Sequence, residues 1–153
     1  MEILQALNLP PYEPRLRQKD ASTLDIFCPL RNRFVKLTPE EWVRQHFIHF
    51  LITEKNYPQA LLANEVSISL NGTSKRCDSV LYSPQMTPRM ILEYKAPSVN
   101  ITQKVFDQIT RYNMVLHVDY LIVSNGLQHY CCKYDQKESR YIFLPDIPAY
   151  QNL

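Results

Sequence analysis

Residues 89–97 have the sequence RMILEYKAP, an apolar run that ends in a charged pair and a proline. The aliphatic side chains of residues 90–92 predict a buried strand that lies centrally in a sheet. Side chains alternate along a strand, so Glu93 and Lys95 should point to the same face. Such a pair indicates either a surface salt bridge at a strand end or part of a functional site, and Glu-x-Lys alone does not decide between them.

Asp78 favours the functional interpretation. It lies in the preceding predicted strand, residues 75–82, fifteen positions before Glu93. If the two strands pair as a meander, the two carboxylates lie side by side and repel unless a proton or cation lies between them. Mg²⁺ typically takes one or two carboxylates together with water and phosphate oxygens. The pattern predicts a magnesium site, with Lys95 placed to orient or deprotonate the attacking water; a polar strand or turn residue remains the alternative for Asp78.

The flanking sequence predicts one α/β (α+β) domain. Thr38, Pro39 and Glu41 fit the rules for a helix start, and Thr102 is a plausible cap for a second helix whose buried face would carry residues 105, 109, 112 and 116. The predicted strands cover residues 65–70, 75–82, 89–95, 120–123, 128–134 and 140–144. Because a helix joins the third and fourth of these strands, we expect them to pair in parallel.

Residues 1–37 precede the first predicted helix and form an N-terminal arm packed on the domain of residues 38–153. The arm contains two basic groups, residues 15–19 and residues 31–36, and short strands are expected around residues 24–28 and 34–37. It shows no clear hydrophobic period, which favours a solvated arm over a functional one.

The composition excludes several classes of protein. Only two glycines occur, Gly72 and Gly126, so neither a P-loop nor a dinucleotide-binding fingerprint is present. The four cysteines form no CxxC pair, which argues against a zinc site or a disulfide framework. A net charge of +2 is only a weak sign of nucleic-acid binding. With no signal peptide and no apolar run of membrane-spanning length, we expect a cytoplasmic protein without membrane contact.

Several stretches resemble one family. Residues 75–78 (KRCD) and 91–97 (ILEYKAP) are similar to the PD-(D/E)xK nuclease superfamily, with Cys77 where the superfamily has proline. More closely, they resemble the N-terminal nuclease domain of type I restriction enzyme R (motor) subunits. Residues 41–45 (EWVRQ), 108–112 (QITRY, similar to the QxxxY motif) and 120–126 (YLIVSNG) support that resemblance, which covers about residues 38–130.

The resemblance implies a restriction-endonuclease-like fold, a mixed β-sheet flanked by helices with an αβββαβ core. It also implies Mg²⁺-dependent hydrolysis of DNA, with Mn²⁺ as a substitute ion. Methylation and specificity subunits, or a separate motor, become candidate partners. The alternative is a non-catalytic nucleic-acid-binding or assembly module of a restriction-modification system.

The resemblance also implies a ligand set. Asp78, Glu93 and the backbone carbonyl of Tyr94 would bind Mg²⁺, Lys95 would lie near the water, and Glu41 would reach the metal directly or through water. Glu41 also occupies the glutamate position of a capping box after Thr38, so a structural role as a helix cap is an equal alternative.

Further contacts are predicted around this site. Gln108 and Tyr112 share a helix face; Gln108 would hydrogen-bond a phosphate or hold Lys95, whereas Tyr112 is either a DNA contact or a core residue. Lys75 and Arg76 are predicted phosphate contacts. His46 and His49 have a spacing that suits a metal, but without a third ligand they are better interpreted as a solvated or partly buried pair.

Overall fold

The computed structural model describes residues 4–70, 72–114 and 116–153, apart from the side chains of residues 70, 73, 112 and 114. Two helices and nine strands make up the fold among these residues. They are β1 (Leu16–Gln18), β2 (Leu24–Cys28), β3 (Arg33–Lys36), α1 (Pro39–Glu54), β4 (Leu62–Leu70), β5 (Thr73–Tyr82), β6 (Pro88–Tyr94), α2 (Gln103–Met114), β7 (Tyr120–Ser124), β8 (His129–Asp135) and β9 (Arg140–Leu144).

The larger sheet has six strands in the order β4-β5-β6-β7-β8-β9. Strands β6 and β7 pair in parallel, with Glu93 opposite Val123, and the other neighbours pair antiparallel. The sequence predictions of a central β6 and of its parallel partner are therefore confirmed. Strand β4 begins three residues before its predicted start at residue 65, because the alternating pattern is clear only in its second half.

Helix α1 covers one face of this sheet. Its buried side chains include Val43, Phe47 and Leu51, which pack with Leu92 and Tyr94 of β6 in one apolar cluster. The predicted cap is confirmed, because Thr38 Oγ1 accepts a hydrogen bond from the Glu41 backbone N–H at 3.1 Å. The α1 helix thus lies over the strand that ends in Glu93 and Lys95.

Helix α2 packs on the side of the sheet that holds the second apolar cluster, which contains Ile91 and Leu121. Thr102 caps it as predicted, accepting from the Val105 N–H at 3.2 Å. The predicted buried face is confirmed in part, because Ile109 packs against this cluster and Leu116, just beyond the helix end, is buried in it. The buried helical residue is Phe106 and not its predicted neighbour Val105.

The arm is more ordered than its sequence indicates. Strands β1, β2 and β3 form a three-stranded antiparallel sheet, and β1 was not predicted. The sheet buries Ile26 against Leu37 and Trp42.

The arm also contacts the larger sheet. The Asn8 N–H donates to the Gly126 carbonyl at 2.8 Å. Gly126 has a φ of +85°, and a Cβ there would lie 2.7 Å from a Leu7 methyl carbon, so only glycine fits beside the arm. No helix among the described residues is long and apolar enough to span a membrane.

Candidate active site

Asp78, in the middle of β5, lies beside Glu93, which is near the end of β6. The antiparallel pairing of β5 and β6 reaches Ser79 opposite Leu92, so the next residues along, Asp78 and Glu93, face each other just beyond that pair. Asp78 Oδ2 accepts a hydrogen bond from the Tyr94 backbone N–H at 2.8 Å, which fixes this carboxylate against β6.

The environment of Glu93 disfavours its charged form. Burial, and secondarily the neighbouring charge of Asp78, raise the pKa of Glu93 to about 7, while Lys75 acts in the opposite direction. A raised pKa of this kind is expected where two carboxylates share one poorly solvated site, and such groups concentrate at functional sites.

Lys75 lies at the carboxylates, whereas the sequence suggested a phosphate contact. Its ammonium forms an ion pair with Glu93 Oε1, and the two side chains are only 16% and 12% exposed. Lys75 precedes Asp78 on the same strand, so the pairing of β5 with β6 carries its long side chain to Glu93. The cation therefore partly neutralises the carboxylate pair.

Lys95 follows Tyr94, the last residue of β6. Its backbone N–H donates to the Ser124 carbonyl at 2.9 Å, which continues the contact with β7. The side chain is half-buried, and within the described part of the chain its ammonium has no hydrogen-bond or ion-pair partner. It is thus a partly buried cation two residues after Glu93 that is available to another group.

Glu41 was predicted either to reach the metal or to cap helix α1, and its carboxylate is instead paired with neighbouring side chains. Its carboxylate accepts from Arg31 Nη2 at 2.8 Å and from Gln45 Nε2 at 2.7 Å, and Arg44 Nε lies 3.5 Å away. The Thr38 side chain caps the helix, but the Glu41 carboxylate is held by these cations and the amide rather than returned to the cap.

Arg44 separates Glu41 from the carboxylate pair. Its Nη1 donates to the Asp78 backbone carbonyl at 3.0 Å and its Nη2 to Glu65 Oε1 at 2.6 Å. The side chain is 6% exposed. Accordingly, no group of three His, Cys, Asp or Glu side chains in residues 4–70, 72–114 and 116–153 is arranged to hold a metal ion.

The sequence of this site matches a known family. Residues 39–148 match the family model described as the N terminus of the type I restriction enzyme R protein. The chain belongs to this family. The prediction made from residues 75–78, 91–97 and the flanking stretches is therefore confirmed at the level of the family.

Two solved structures resemble this member of the R-protein family. A fragment of a putative HsdR subunit of a type I restriction enzyme from Vibrio vulnificus YJ016 superimposes with a TM-score of 0.51 at 16% identity, over 72% of this chain and 23% of that one. A DrdV–DNA complex, solved by electron cryo-microscopy, has a TM-score of 0.46 at 17% identity, over 75% of this chain and 11% of that one. No curated protein matched significantly.

These likenesses concern the fold. The restriction-endonuclease-like architecture, a mixed sheet flanked by helices, is the one predicted from the sequence. This chain spans less than a quarter of the length of either solved chain. Membership of the R-protein family rests on the match of residues 39–148 to the family model.

The structure does not bring every predicted residue of this R-protein domain to the carboxylates. Gln108 is exposed on α2, because Phe106 and Asn113 form the buried side of that helix. The side chain is therefore in solvent and not among apolar neighbours. The Tyr112 side chain lies outside the described residues. Arg76 is 65% exposed and donates to Glu65 Oε2 at 3.1 Å, which leaves it near the surface.

Sequence reasoning missed the buried Arg31–Glu41–Arg44–Glu65 network. A signal for it existed, since Arg44 lies between Val43 and Phe47 on a helix with a buried face. His46 and His49 make aromatic contacts with Tyr12 instead of a metal site among the described residues.

Proposed function

We propose that the chain is the metal-dependent DNA-hydrolysing domain of a type I restriction enzyme, acting on phosphodiester bonds with Mg²⁺ or Mn²⁺. The observation that carries the proposal is the half-buried pair of Asp78 and Glu93, whose mutual repulsion and burial raise the pKa of Glu93 to about 7. Membership of the R-protein family supports the choice of reaction.

The donor set fits a hard divalent cation. A cation between Asp78 and Glu93 removes the repulsion between the two carboxylates. Mg²⁺ commonly uses only one or two carboxylates and completes its shell with water and phosphate oxygens, so the separation of Glu41 from this pair is compatible with binding. The Tyr94 carbonyl at the end of β6 is the expected third protein ligand.

Each residue of the site has a separate role in the proposed hydrolysis. A bound ion supplies Lewis acidity and lowers the pKa of a coordinated water. Asp78 is oriented by the Tyr94 N–H and its backbone is held by Arg44. Lys95, whose ammonium has no partner among the described residues, orients the attacking water or balances the charge of the scissile phosphate. Lys75 balances Glu93 until the cation arrives.

One observation favours a second candidate, a nucleic-acid-binding or assembly module without turnover. The Lys75 ammonium already pairs with Glu93, and such a pair satisfies the carboxylate without a metal. In that case Lys75 and Glu93 form a structural ion pair, and a divalent cation does not displace the Lys75 ammonium.

Metal binding distinguishes the two candidates. We expect calorimetry to detect Mn²⁺ or Ca²⁺ binding to the chain, and Asp78→Asn to abolish it while circular dichroism shows an unchanged fold. Glu138→Gln is the matched control, because Glu138 is an exposed carboxylate that pairs with Arg140 on a distant turn. Wild-type protein that binds neither ion, or that binds as well with Asp78→Asn, would favour the structural module.

Cleavage itself is expected to depend on the rest of a restriction system. Because the chain spans so little of its solved relatives, methylation and specificity subunits or a separate motor are proposed partners. Co-purification from the native source, followed by identification of the attached chains, tests this expectation. A chain that purifies alone and cuts DNA would show that no partner is needed.

A further inference from the structure

The outer surface of the N-terminal sheet has a distinct chemistry. Side chains alternate across the strands, so the residues opposite the buried side share one solvent-facing surface. The pairing places Arg17 beside Asp25, Asp25 beside Lys36, and Phe27 beside Phe34 on this surface. We call it the arm face: Arg15, Arg17, Lys19, Asp25, Phe27, Phe34 and Lys36, of which Asp25 is buried beneath its neighbours.

The opposite side of the sheet is already occupied. Ile26 is fully buried there and packs with Leu37 and Trp42, and Leu24 and Val35 join the same cluster. The arm face therefore points away from the domain. Its cations are exposed, and its two phenylalanines are half-buried.

Two arginines of the arm face lie over its aromatic rings. The Arg15 guanidinium is 4.7 Å from the Phe27 ring centre, and the Arg17 guanidinium is 4.1 Å from that of Phe34. Cation–π contact of this kind restricts a side chain that would otherwise sample many rotamers. The rings therefore present the guanidinium groups in a defined orientation.

Most of this positive charge is not neutralised within the chain. Only Arg17 has a carboxylate partner, Asp25 at 2.8 Å, whereas Arg15, Lys19 and Lys36 have no ion pair in the part of the chain that the structure describes. Residues 1–37 contain six basic and four acidic side chains, a net of +2, which equals the net charge of the whole chain. All other residues together are then neutral, so the excess positive charge of the protein lies in the arm.

We propose that the arm face binds the phosphate backbone of DNA. The planar guanidinium fork matches the geometry of phosphate oxygens better than an ammonium does. An arginine that stacks on a ring with one face can also stack on a base with the other. The rings themselves are covered by guanidinium groups, so the surface lacks the exposed apolar wedge that would enter a lipid bilayer.

This surface lies outside residues 39–148, the part that matches the family model. It is also separate from Asp78 and Glu93 and needs no metal ion. The inference goes beyond the proposed hydrolysis, because the arm face would hold DNA whether or not the carboxylate pair cuts it.

The test is DNA binding in the presence of a chelator, which removes divalent metal ions and so prevents hydrolysis at the carboxylate pair. Fluorescence anisotropy with a short labelled duplex is measured between about 50 and 200 mM salt, where phosphate contacts dominate. Arg15→Gln with Lys36→Gln should weaken binding by about tenfold and reduce the slope of log K against log salt by about 1 to 2. The matched control is Lys104→Gln with Lys137→Gln, two exposed lysines outside the arm.

Loss of folding is separated from loss of contact by a second pair of substitutions. Lys19→Gln with Lys36→Gln removes two charges that stack on no ring, and it should lower the salt slope similarly while leaving the thermal melt unchanged. The proposal is overturned if wild type does not bind duplex at low salt, or if both arm pairs behave like the control. Binding to vesicles of anionic phospholipid with the same dependence on Arg15 and Lys36 would also overturn it.

Discussion

Arg44 and Arg17 make the same kind of contact in two very different parts of the molecule. Arg44 lies 5.8 Å from the Tyr94 ring and donates to Glu65 at 2.6 Å, with 6% of its side chain exposed. Arg17 lies 4.1 Å from the Phe34 ring and pairs with Asp25 at 2.8 Å, with 55% of its side chain exposed. Each arginine thus contacts one aromatic ring and one carboxylate, but the Arg44 side chain is buried and the Arg17 side chain is exposed.

The difference in solvent access assigns the two regions different roles. Around Arg44 the poorly solvated surroundings strengthen every charge interaction, and the pairs are fixed by the packing of α1 on the sheet. Such a region can hold two carboxylates at a distance where they repel. On the arm face water screens the charges from one another, so the guanidinium groups held by the rings remain accessible to a phosphate backbone.

The largest expected effect concerns catalysis. In the Mg²⁺-dependent cleavage assay of the native assembly, Glu93→Gln should reduce kcat by about 1000-fold, or about 4 kcal/mol of barrier. Lys95→Met should have a comparable effect. Arg15→Gln with Lys36→Gln should instead raise KM and leave kcat unchanged, because it removes binding that is equal in ground and transition states.

Glu138→Gln serves as the control for Glu93→Gln, since that exposed carboxylate is far from the site. Unchanged kcat with Glu93→Gln or with Lys95→Met would remove the corresponding residue from the catalytic assignment. A fall in kcat with the arm pair would mean that the two regions are not separate in function.

The next effect concerns stability and compares the two arginines directly. Removing one partner of a buried ion pair leaves an uncompensated charge, so Arg44→Ala should lower the free energy of unfolding by about 3 kcal/mol or more. Arg17→Ala should lower it by less than about 1 kcal/mol, because exposed pairs contribute little. Urea denaturation of the two variants measures both values, and equal losses would contradict the contrast in exposure.

A smaller effect is expected at Lys75. Without its ammonium the Glu93 carboxylate faces Asp78 uncompensated, and Lys75→Met should cost about 1–3 kcal/mol of stability. Mn²⁺ at about 100 times its Kd should then restore about 2.7 kcal/mol. Lys137→Met, at an exposed turn, is the control and should respond to neither change.

Thermal melts of Lys75→Met with and without Mn²⁺ measure that recovery. If Lys75→Met lowers the melting temperature but Mn²⁺ does not raise it again, the ion pair is structural and the site does not bind a metal. Recovery in Lys75→Met that disappears when Asp78→Asn is added would locate the ion at the carboxylate pair.

Local patterns made the central part of the fold predictable. The run at residues 90–92 has no alternation, which only a strand buried on both faces explains, and the intervening helix required β6 and β7 to be parallel. Asp78 and Glu93 were found for the same reason, since antiparallel pairing of adjacent strands places them opposite each other.

Long-range side-chain contacts were not predictable in this way. The contact of Lys75 with Glu93 and of Arg44 with Glu65 depends on side-chain paths across strands and between a helix and a strand, which periodicity does not report. Strand β1 is three residues long and entirely exposed, so it has no hydrophobic signal at all. The sequence indicated the basic groups of the arm and strands close to β2 and β3, but the arm face also depends on the pairing of β1 with β2, which was not predicted.

The smallest expected effect is a pH dependence at the junction between the arm and α1. Burial lowers the pKa of His46, whose ring lies edge-on to Tyr12 of the arm and whose Nδ1 is 2.9 Å from the Trp42 carbonyl. Burial likewise lowers the pKa of His129, whose Nε2 is 2.8 Å from the Asn8 carbonyl.

A group with a lowered pKa binds fewer protons in the folded state than in the unfolded state, so stability rises with pH. The contribution of each histidine is complete above about pH 6.5, the unfolded value, and is lost as the pH falls from there through the lowered folded value. Urea midpoints should therefore decrease between neutral and mildly acid pH, and His46→Gln should show a shallower decrease than wild type. Because both histidines contact the arm, His46 through Tyr12 and His129 through Asn8, an identical pH profile in His46→Gln would mean that the arm remains attached independently of the His46 ring.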